Sequence, residues 1–190
     1  MGFDFVSFFP RAVMQGIPLL FGSTGEILTE KSGNLNLGIP GIMYVGGISG
    51  VIGAFFYEQS TTQLNGFLAI VIPILCSLLG SLLMGLLYCF LTVTLRANQN
   101  VTGLALTTFG MGVANFFGVF ILNGKSYTAA PLANSAYAHK IPVLSELGVV
   151  GQVIFGYGFL AYAAILLAVL LHIFLNKTRA GLNLRAVGEN

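Results

Sequence analysis

The chain has 190 residues, 56% of them hydrophobic and only 7% charged, with a net charge of +2. Soluble domains carry about 25% charged residues, so this composition excludes a water-covered globule and points to an integral membrane protein with helical spans. A charge this small also excludes nucleic acid as a partner; the charges matter through their placement.

The first candidate span is Val13–Leu28. It is short and holds Gln15, Ser23, Thr24 and Glu26, so it is expected to extend back into Phe5–Ala12, with Pro10 in its first turn and a kink at Pro18. A polar hinge, Thr29–Asn36, follows. The second span, Leu35–Phe56, is rich in glycine, and Pro40 between Gly38 and Gly41 predicts a broken start in place of a regular helix. Such irregular backbone is tolerated at membrane depth only when protein or a water-filled cavity surrounds it. Gly46 and Gly50 form a GxxxG pair that lets another helix approach closely.

Tyr57–Asn65 reads as a short loop. The run Gly66–Leu95 is longer than a bilayer requires and must tilt or project. Its two cysteines, Cys76 and Cys89, are thirteen positions apart on one straight run and cannot meet. A tight turn, Arg96–Gln99, leads to the fourth span, Val101–Leu122, on which Thr108, Gly112 and Asn115 share one face. Within the mixed segment that follows, Leu144–Phe155 reads as a re-entrant or interfacial helix; Tyr157–Leu175 is the fifth span.

Loop charges set the orientation. Alternation puts Lys31, Arg96, Lys177, Arg179 and Arg185 on one side, in short segments. Arg11, Lys125 and Lys140 lie on the other, spread over more sequence. The first side is therefore expected to be cytoplasmic, with the N-terminus outside.

Chemical motifs are sparse. Gly124-Lys125-Ser126 lacks the earlier glycine of a phosphate-binding loop, because Val119 stands where it is needed. No HExxH or CxxC occurs, and His139 and His172 fall at opposite ends of the predicted topology, so neither a catalytic nor a metal site is expected and no cofactor is implied. Glu26 is the one acid inside a predicted span, and is read as a partner of Lys31, as a helix cap or as a transport group. Thr108 and Asn115 either line a path for a polar solute or hold helices together.

The tail Asn176–Asn190 reads NKTRAGLNLRAVGEN and carries three of the eight basic residues. Such charges can simply stop transfer and hold orientation. Leu182, Leu184 and Val187, bracketed by Gly181 and Gly188, add an apolar stripe that a stop signal does not need and a docking helix does.

Three stretches together carry a resemblance: GEILTEKSGNLNLGIPGIMYVGG over Gly25–Gly47, LRANQNVTGLALTTFG over Leu95–Gly110, and TRAGLNLRAVGEN over Thr178–Asn190. They resemble the inner-membrane permease subunits of bacterial ABC importers of the branched-chain amino acid, ribose and nucleoside type. Within that family the likeness is greatest to the nucleoside and simple-sugar permeases that work with basic-membrane-lipoprotein binding proteins. The resemblance implies that residues 176–190 are a cytoplasmic coupling loop docking on an ATPase subunit, with Gly181, Leu182, Arg185, Ala186, Gly188 and Glu189 as its core. It also implies a second permease subunit, an extracytoplasmic substrate-binding lipoprotein and further helices after Asn190, so the chain is expected to be the N-terminal part of a larger permease.

The expectation is thus an all-α, polytopic protein of about five transmembrane helices with a broken, glycine-rich second helix, in the bacterial cytoplasmic membrane and in contact with its lipid. It would import a nucleoside, simple sugar or branched-chain amino acid by alternating access, with ATP hydrolysed on a separate subunit. Asn36, Thr108 and Asn115 are the candidate pathway residues. An ion-coupled secondary transporter is the rival reading; it needs coupling acids in the membrane, and Glu26 is the only candidate.

Overall fold

A computed structural model describes residues 5–60, 63–122, 130–139 and 156–189. The elements are helices α1 (Phe5–Lys31), α2 (Ile39–Ser60), α3 (Gly66–Cys89, continued by a π-helical turn over Phe90–Thr94), α4 (Gln99–Leu122), α5 (Pro131–Tyr137), α6 (Phe159–Lys177) and α7 (Arg179–Gly188). The predicted re-entrant segment Leu144–Phe155 lies outside the described residues.

Among the described residues, four helices are long and apolar enough to cross a membrane: Ile39–Ser60, Gly66–Thr94, Gln99–Phe120 and Phe159–Lys177. Only 17 to 22% of each is buried within the protein, so their surfaces need lipid or further protein around them. α1 is a fifth long helix, starting at Phe5 as its short apolar run required, and it falls below the other four in apolarity. Hydroxyls in its second half and just past its end are satisfied locally. Thr24 donates to the Phe21 carbonyl at 2.7 Å, Thr29 to that of Glu26 at 2.9 Å, and Ser32 to that of Thr29 at 2.6 Å. The Glu26 carboxylate accepts from Thr29 at 3.3 Å.

The chain divides into two compact units, one of Asn34–Ala136 and one of Met1–Gly33 with Tyr137–Asn190. In the first, α2 packs against both α3 and α4. The break expected in the second span precedes it: residues 34–38 are irregular and the helix begins at Ile39, not Leu35. The helix then runs unbroken to Ser60, consuming part of the predicted loop.

Small residues decide how closely these helices meet. A Cβ built on Gly46 would strike the Ser81 hydroxyl, and one on Gly50 would lie 3.0 Å from the Pro73 carbonyl oxygen. Reciprocally, a Cβ on Gly80 would strike Ser49. The GxxxG pair thus serves the α2–α3 contact. Gly41 and Gly110 do the same between α2 and α4. Met84, Tyr88 and Leu106 form a small buried cluster, packed by Ile42 and Val45.

α3 ends in an unusual way. Its last turn widens to π geometry, with the Leu95 amide donating to the Phe90 carbonyl at 3.1 Å and the Ala97 amide to that of Leu91 at 3.0 Å. Arg96 takes the left-handed conformation, φ 55°, needed to close this end. Asn98 then caps α4, its side-chain oxygen accepting from the amides of Asn100 at 3.0 Å and Val101 at 3.2 Å.

In the second unit α1 packs along α6, and α7 lies against the C-terminal ends of both. At its other end Tyr137 stacks on Phe159, ring centroids 5.7 Å apart.

Candidate functional site

The predicted coupling segment is mostly helix. Thr178 takes an extended conformation that ends α6, and its hydroxyl serves both neighbours. It donates to the Phe174 carbonyl at 2.7 Å and accepts from the Gly181 amide at 3.0 Å, capping α7. The two helices therefore meet at a corner that the Thr178 hydroxyl ties on both sides.

From that corner the periodicity of α7 sorts the six residues expected to dock. Gly181 is buried against the last turn of α6, where a Cβ would strike the Phe174 carbonyl and lie 2.8 Å from the Leu175 Cα. Gly188 touches the end of α1, where a Cβ would strike the Lys31 carbonyl and lie 2.7 Å from the Gly33 amide nitrogen. Arg185 is half-buried and turns back toward its own scaffold. It donates to the Asn176 side-chain oxygen at 3.1 Å and reaches Glu189 at 3.7 Å. These residues hold α7 in place. The outward face carries Arg179, Leu182, Asn183, Ala186 and Val187, at helical spacing, with Leu182 50% and Val187 72% exposed. Two aliphatic side chains are thus left bare beside cationic Arg179.

The three pathway candidates do not form one site. Asn36 is buried, 5% exposed, and its side-chain oxygen accepts from the Gly38 amide at 2.9 Å. That local turn shapes the irregular segment ahead of α2. Two neighbours hold the segment: the Tyr88 hydroxyl lies 2.9 Å from the Asn34 side-chain oxygen and 3.2 Å from the Leu35 carbonyl, and Thr107 donates to the Leu37 carbonyl at 2.8 Å. Gly103 admits the segment, since a Cβ there would lie 2.8 Å from the Gly38 nitrogen.

α4 separates the other two candidates from Asn36. Its face toward α2 carries Gly103, Leu106, Thr107 and Gly110. Thr108, Gly112 and Asn115 lie on the far face, exposed, with nothing within 4 Å of a Cβ at Gly112. The Thr108 hydroxyl folds back to the Leu104 carbonyl at 3.1 Å. This polar stripe sits between exposed Phe109 and Phe116 on one flank and Leu104 and Met111 on the other.

Sequence reasoning did not single out Tyr88, Thr107 or Asn176. Tyr88 had a signal: a phenol inside a long apolar run must find a partner for its hydroxyl. Thr107 and the Asn176–Arg185 pair offered none, because in each case the partner lies on another element.

Two further features complete the geometry. Where α2 ends, the Glu58 carboxylate accepts from the amides of Leu132 at 3.3 Å and Ala133 at 2.8 Å, pinning the first turn of α5. Burial raises the phenol of Tyr137 above its ordinary value, and burial followed by the neighbouring Tyr162 does the same for Tyr157. Among the described residues no group of three or more His, Cys, Asp or Glu is placed to hold a metal ion.

Several known permease proteins are similar to this chain. NupQ of Bacillus subtilis (strain 168), a guanosine ABC transporter permease protein, is 30% identical over 182 residues, covering 95% of this chain and 55% of that protein. NupC of Lactococcus lactis subsp. cremoris (strain MG1363), a nucleoside ABC transporter permease protein, is 34% identical over 175 residues, covering 91% and 53%. TsgC13 of Haloferax volcanii, named for glucose ABC transport, is 31% identical over 172 residues, covering 90% and 48%. The chain thus spans about half the length of the curated relatives it matches. No solved structure matches it. Residues 10–190, which include every apolar helix, the irregular segment ahead of α2 and the capped tail helix, match one description, and the chain belongs to that family: the permease components of the branched-chain amino acid transport system type.

Proposed function

We propose that the protein is a membrane-spanning subunit of an ATP-driven importer in the cytoplasmic membrane, moving a nucleoside or related small polar solute into the cell. The observation that carries this reading is the family match together with a firmly anchored α7 whose outward stripe, Leu182, Ala186 and Val187, is exposed among the described residues. A soluble ATPase subunit docking there would bury the stripe and supply the hydrolysis. Residues 176–190 would be the coupling element, on the cytoplasmic side, as the positive charges of Lys177, Arg179 and Arg185 favour.

In this reading the six tail residues divide their work. Leu182 and Ala186 meet the ATPase, and Gly181, Arg185, Gly188 and Glu189 fix the helix that presents them. A second permease subunit and an extracytoplasmic binding lipoprotein complete the importer. Two of the relatives are named for guanosine or nucleoside transport, which favours a nucleoside over the sugar of the third name. The exposed Thr108, Gly112 and Asn115 stripe of α4 is the proposed solute-facing surface, because the exposed Asn115 carboxamide on a spanning helix needs water, solute or protein to cover it. Asn36 contributes by shaping the irregular segment.

The test is uptake by the complete transporter in vesicles, with guanosine and glucose as competing probes and the ATPase either active or disabled. Guanosine uptake that stops with the ATPase disabled, and that Leu182→Asp also stops while the permease still inserts, is the expected outcome. Uptake that persists without ATP hydrolysis points to an ion-coupled secondary transporter and overturns the reading.

A further inference from the structure

α7 touches two helices, and it touches them through glycines at its two ends. Gly181 is pressed on the last turn of α6 and Gly188 on the end of α1. Ten residues of helix span about 15 Å, so α7 bridges the C-terminal ends of α1 and α6. The two attachments differ in kind. To α6 the link is covalent through Thr178, reinforced by the two bonds of its hydroxyl and by Arg185 on Asn176. To α1 the link is a backbone contact in which a Cβ on Gly33 would lie 3.1 Å from the Gly188 Cα, and a Cβ on Gly188 would lie 2.9 Å from the Ser32 carbonyl carbon.

Both partners of that contact are constrained to glycine. Gly33 has φ +85°, a conformation that side chains rarely adopt, and it stands two residues past the last residue of α1, which closes through the Gly33 amide on the Glu30 carbonyl at 3.0 Å. Gly188 has the carbonyl of Lys31 where any Cβ would go. Polar side chains elsewhere would tolerate small displacements; two backbones in direct contact do not.

From this geometry we infer that Gly33 and Gly188 form a mechanical joint: a push on α7 is delivered to α1 as well as to α6, and the two glycines are positioning residues for energy coupling. The inference rests on the proposed docking of an ATPase on the outer face of α7. A larger residue at either position lifts α7 off α1 while leaving the outward Leu182, Ala186 and Val187 stripe and the corner at Thr178 intact. The ATPase then still binds and still hydrolyses ATP, but α1 no longer follows.

The experiment uses the complete transporter in vesicles, carrying Gly188→Ala or Gly33→Asn. Asparagine tolerates a left-handed backbone, so Gly33→Asn separates loss of the contact from backbone strain. Three quantities are read: ATPase retained on the vesicles, guanosine taken up per ATP hydrolysed, and the ATP-dependent change in maleimide labelling of Ser23→Cys on α1, with Cys76 and Cys89 replaced by alanine. The expected result is normal ATPase retention with guanosine per ATP reduced about fivefold or more, and loss of the ATP-dependent labelling change. A purely structural role would lower retention and both rates together and leave the ratio unchanged; that result overturns the joint. Should a variant fail to insert, the unaltered joint still decides, since Ser23→Cys alone must respond to ATP, and no response overturns the inference. Failure of the ATPase to bind the unaltered chain removes the docking reading itself, and the joint with it.

Discussion

Gly41 on α2 fills the space where Gly110 on α4 would need a side chain, and the backbone of Leu106 and Thr107 fills that of Gly41 in turn. A Cβ on Gly110 would strike the Gly41 carbonyl oxygen and lie 2.7 Å from its Cα, and one on Gly41 would lie 2.7 Å from the Thr107 Cα. Gly41→Ala or Gly110→Ala should therefore force the helices apart, at a cost of about 1–3 kcal/mol. Gly112→Ala, which points into open space on the far face of α4, should be neutral or stabilising by up to about 1 kcal/mol. Thermal unfolding of the purified variants in detergent reads the contrast; equal losses at all three positions would mean the crossing is not the cause.

Tyr88 and Thr107 hold the same irregular segment from opposite neighbours, α3 and α4. Tyr88→Phe and Thr107→Val each remove one hydroxyl and leave a carbonyl, that of Leu35 or Leu37, short of a donor. Each should cost about 1–3 kcal/mol. Because both act on five consecutive residues, the double variant should depart from additivity by about 0.5 kcal/mol or more. A double-mutant cycle on unfolding midpoints checks this, and strict additivity would show the two anchors to be independent.

Glu58 offers a local readout. Its carboxylate holds the Leu132 and Ala133 amides with no other acidic side chain in the first turn of α5. Glu58→Gln keeps the shape and removes the charge, and bonds to a charged group exceed neutral ones by about 1 kcal/mol. Hydrogen exchange at those two amides should speed up by roughly fivefold, with exchange inside α3 unchanged. Unchanged protection at Leu132 and Ala133 would place the anchor of α5 elsewhere.

Arg96 sits at φ 55°, where a residue other than glycine costs about 1–2 kcal/mol. Arg96→Gly should relieve most of that and raise the unfolding midpoint. It also removes a cation from the short turn between two spans, which weakens the bias that orients them. Increased stability together with a larger fraction of inverted chains, measured by protease accessibility in inverted vesicles, is the expected pair of results. A loss of stability would show that the Arg96 side chain has an anchoring role.

Much of this fold is legible in the residues. Apolar runs long enough to span a bilayer allow little but helices, because no other structure satisfies its own backbone there, and the turns at Gly33 and Arg96–Asn98 fall where polar residues interrupt those runs. The GxxxG pair of α2 announced a close neighbour without saying which; only the structure supplies Ser77 and Ser81 of α3. The tail was legible as an amphipathic helix, but not which glycine faces which partner, since a residue without a side chain gives no periodic signal. The pathway candidates show the limit more sharply. Asn36, Thr108 and Asn115 are all polar residues in or beside spans, yet their separation by the body of α4 depends on the face that Gly103 and Gly110 turn toward α2. Hydropathy is blind to that choice.

The loop between α2 and α3 is closed by a reciprocal clasp: Tyr57 Oη donates to the Asn65 carbonyl at 3.2 Å and accepts from the Asn65 amide at 2.9 Å. Together with the interdigitated glycines and serines of the two helices, it makes them a self-contained hairpin, stitched by neighbours near in sequence. During synthesis such a hairpin can leave the insertion machinery as one already paired object, before α4 has been translated. The later helices would then assemble on a finished template, and damage to the clasp would be felt first as a defect of biogenesis, before any defect of transport.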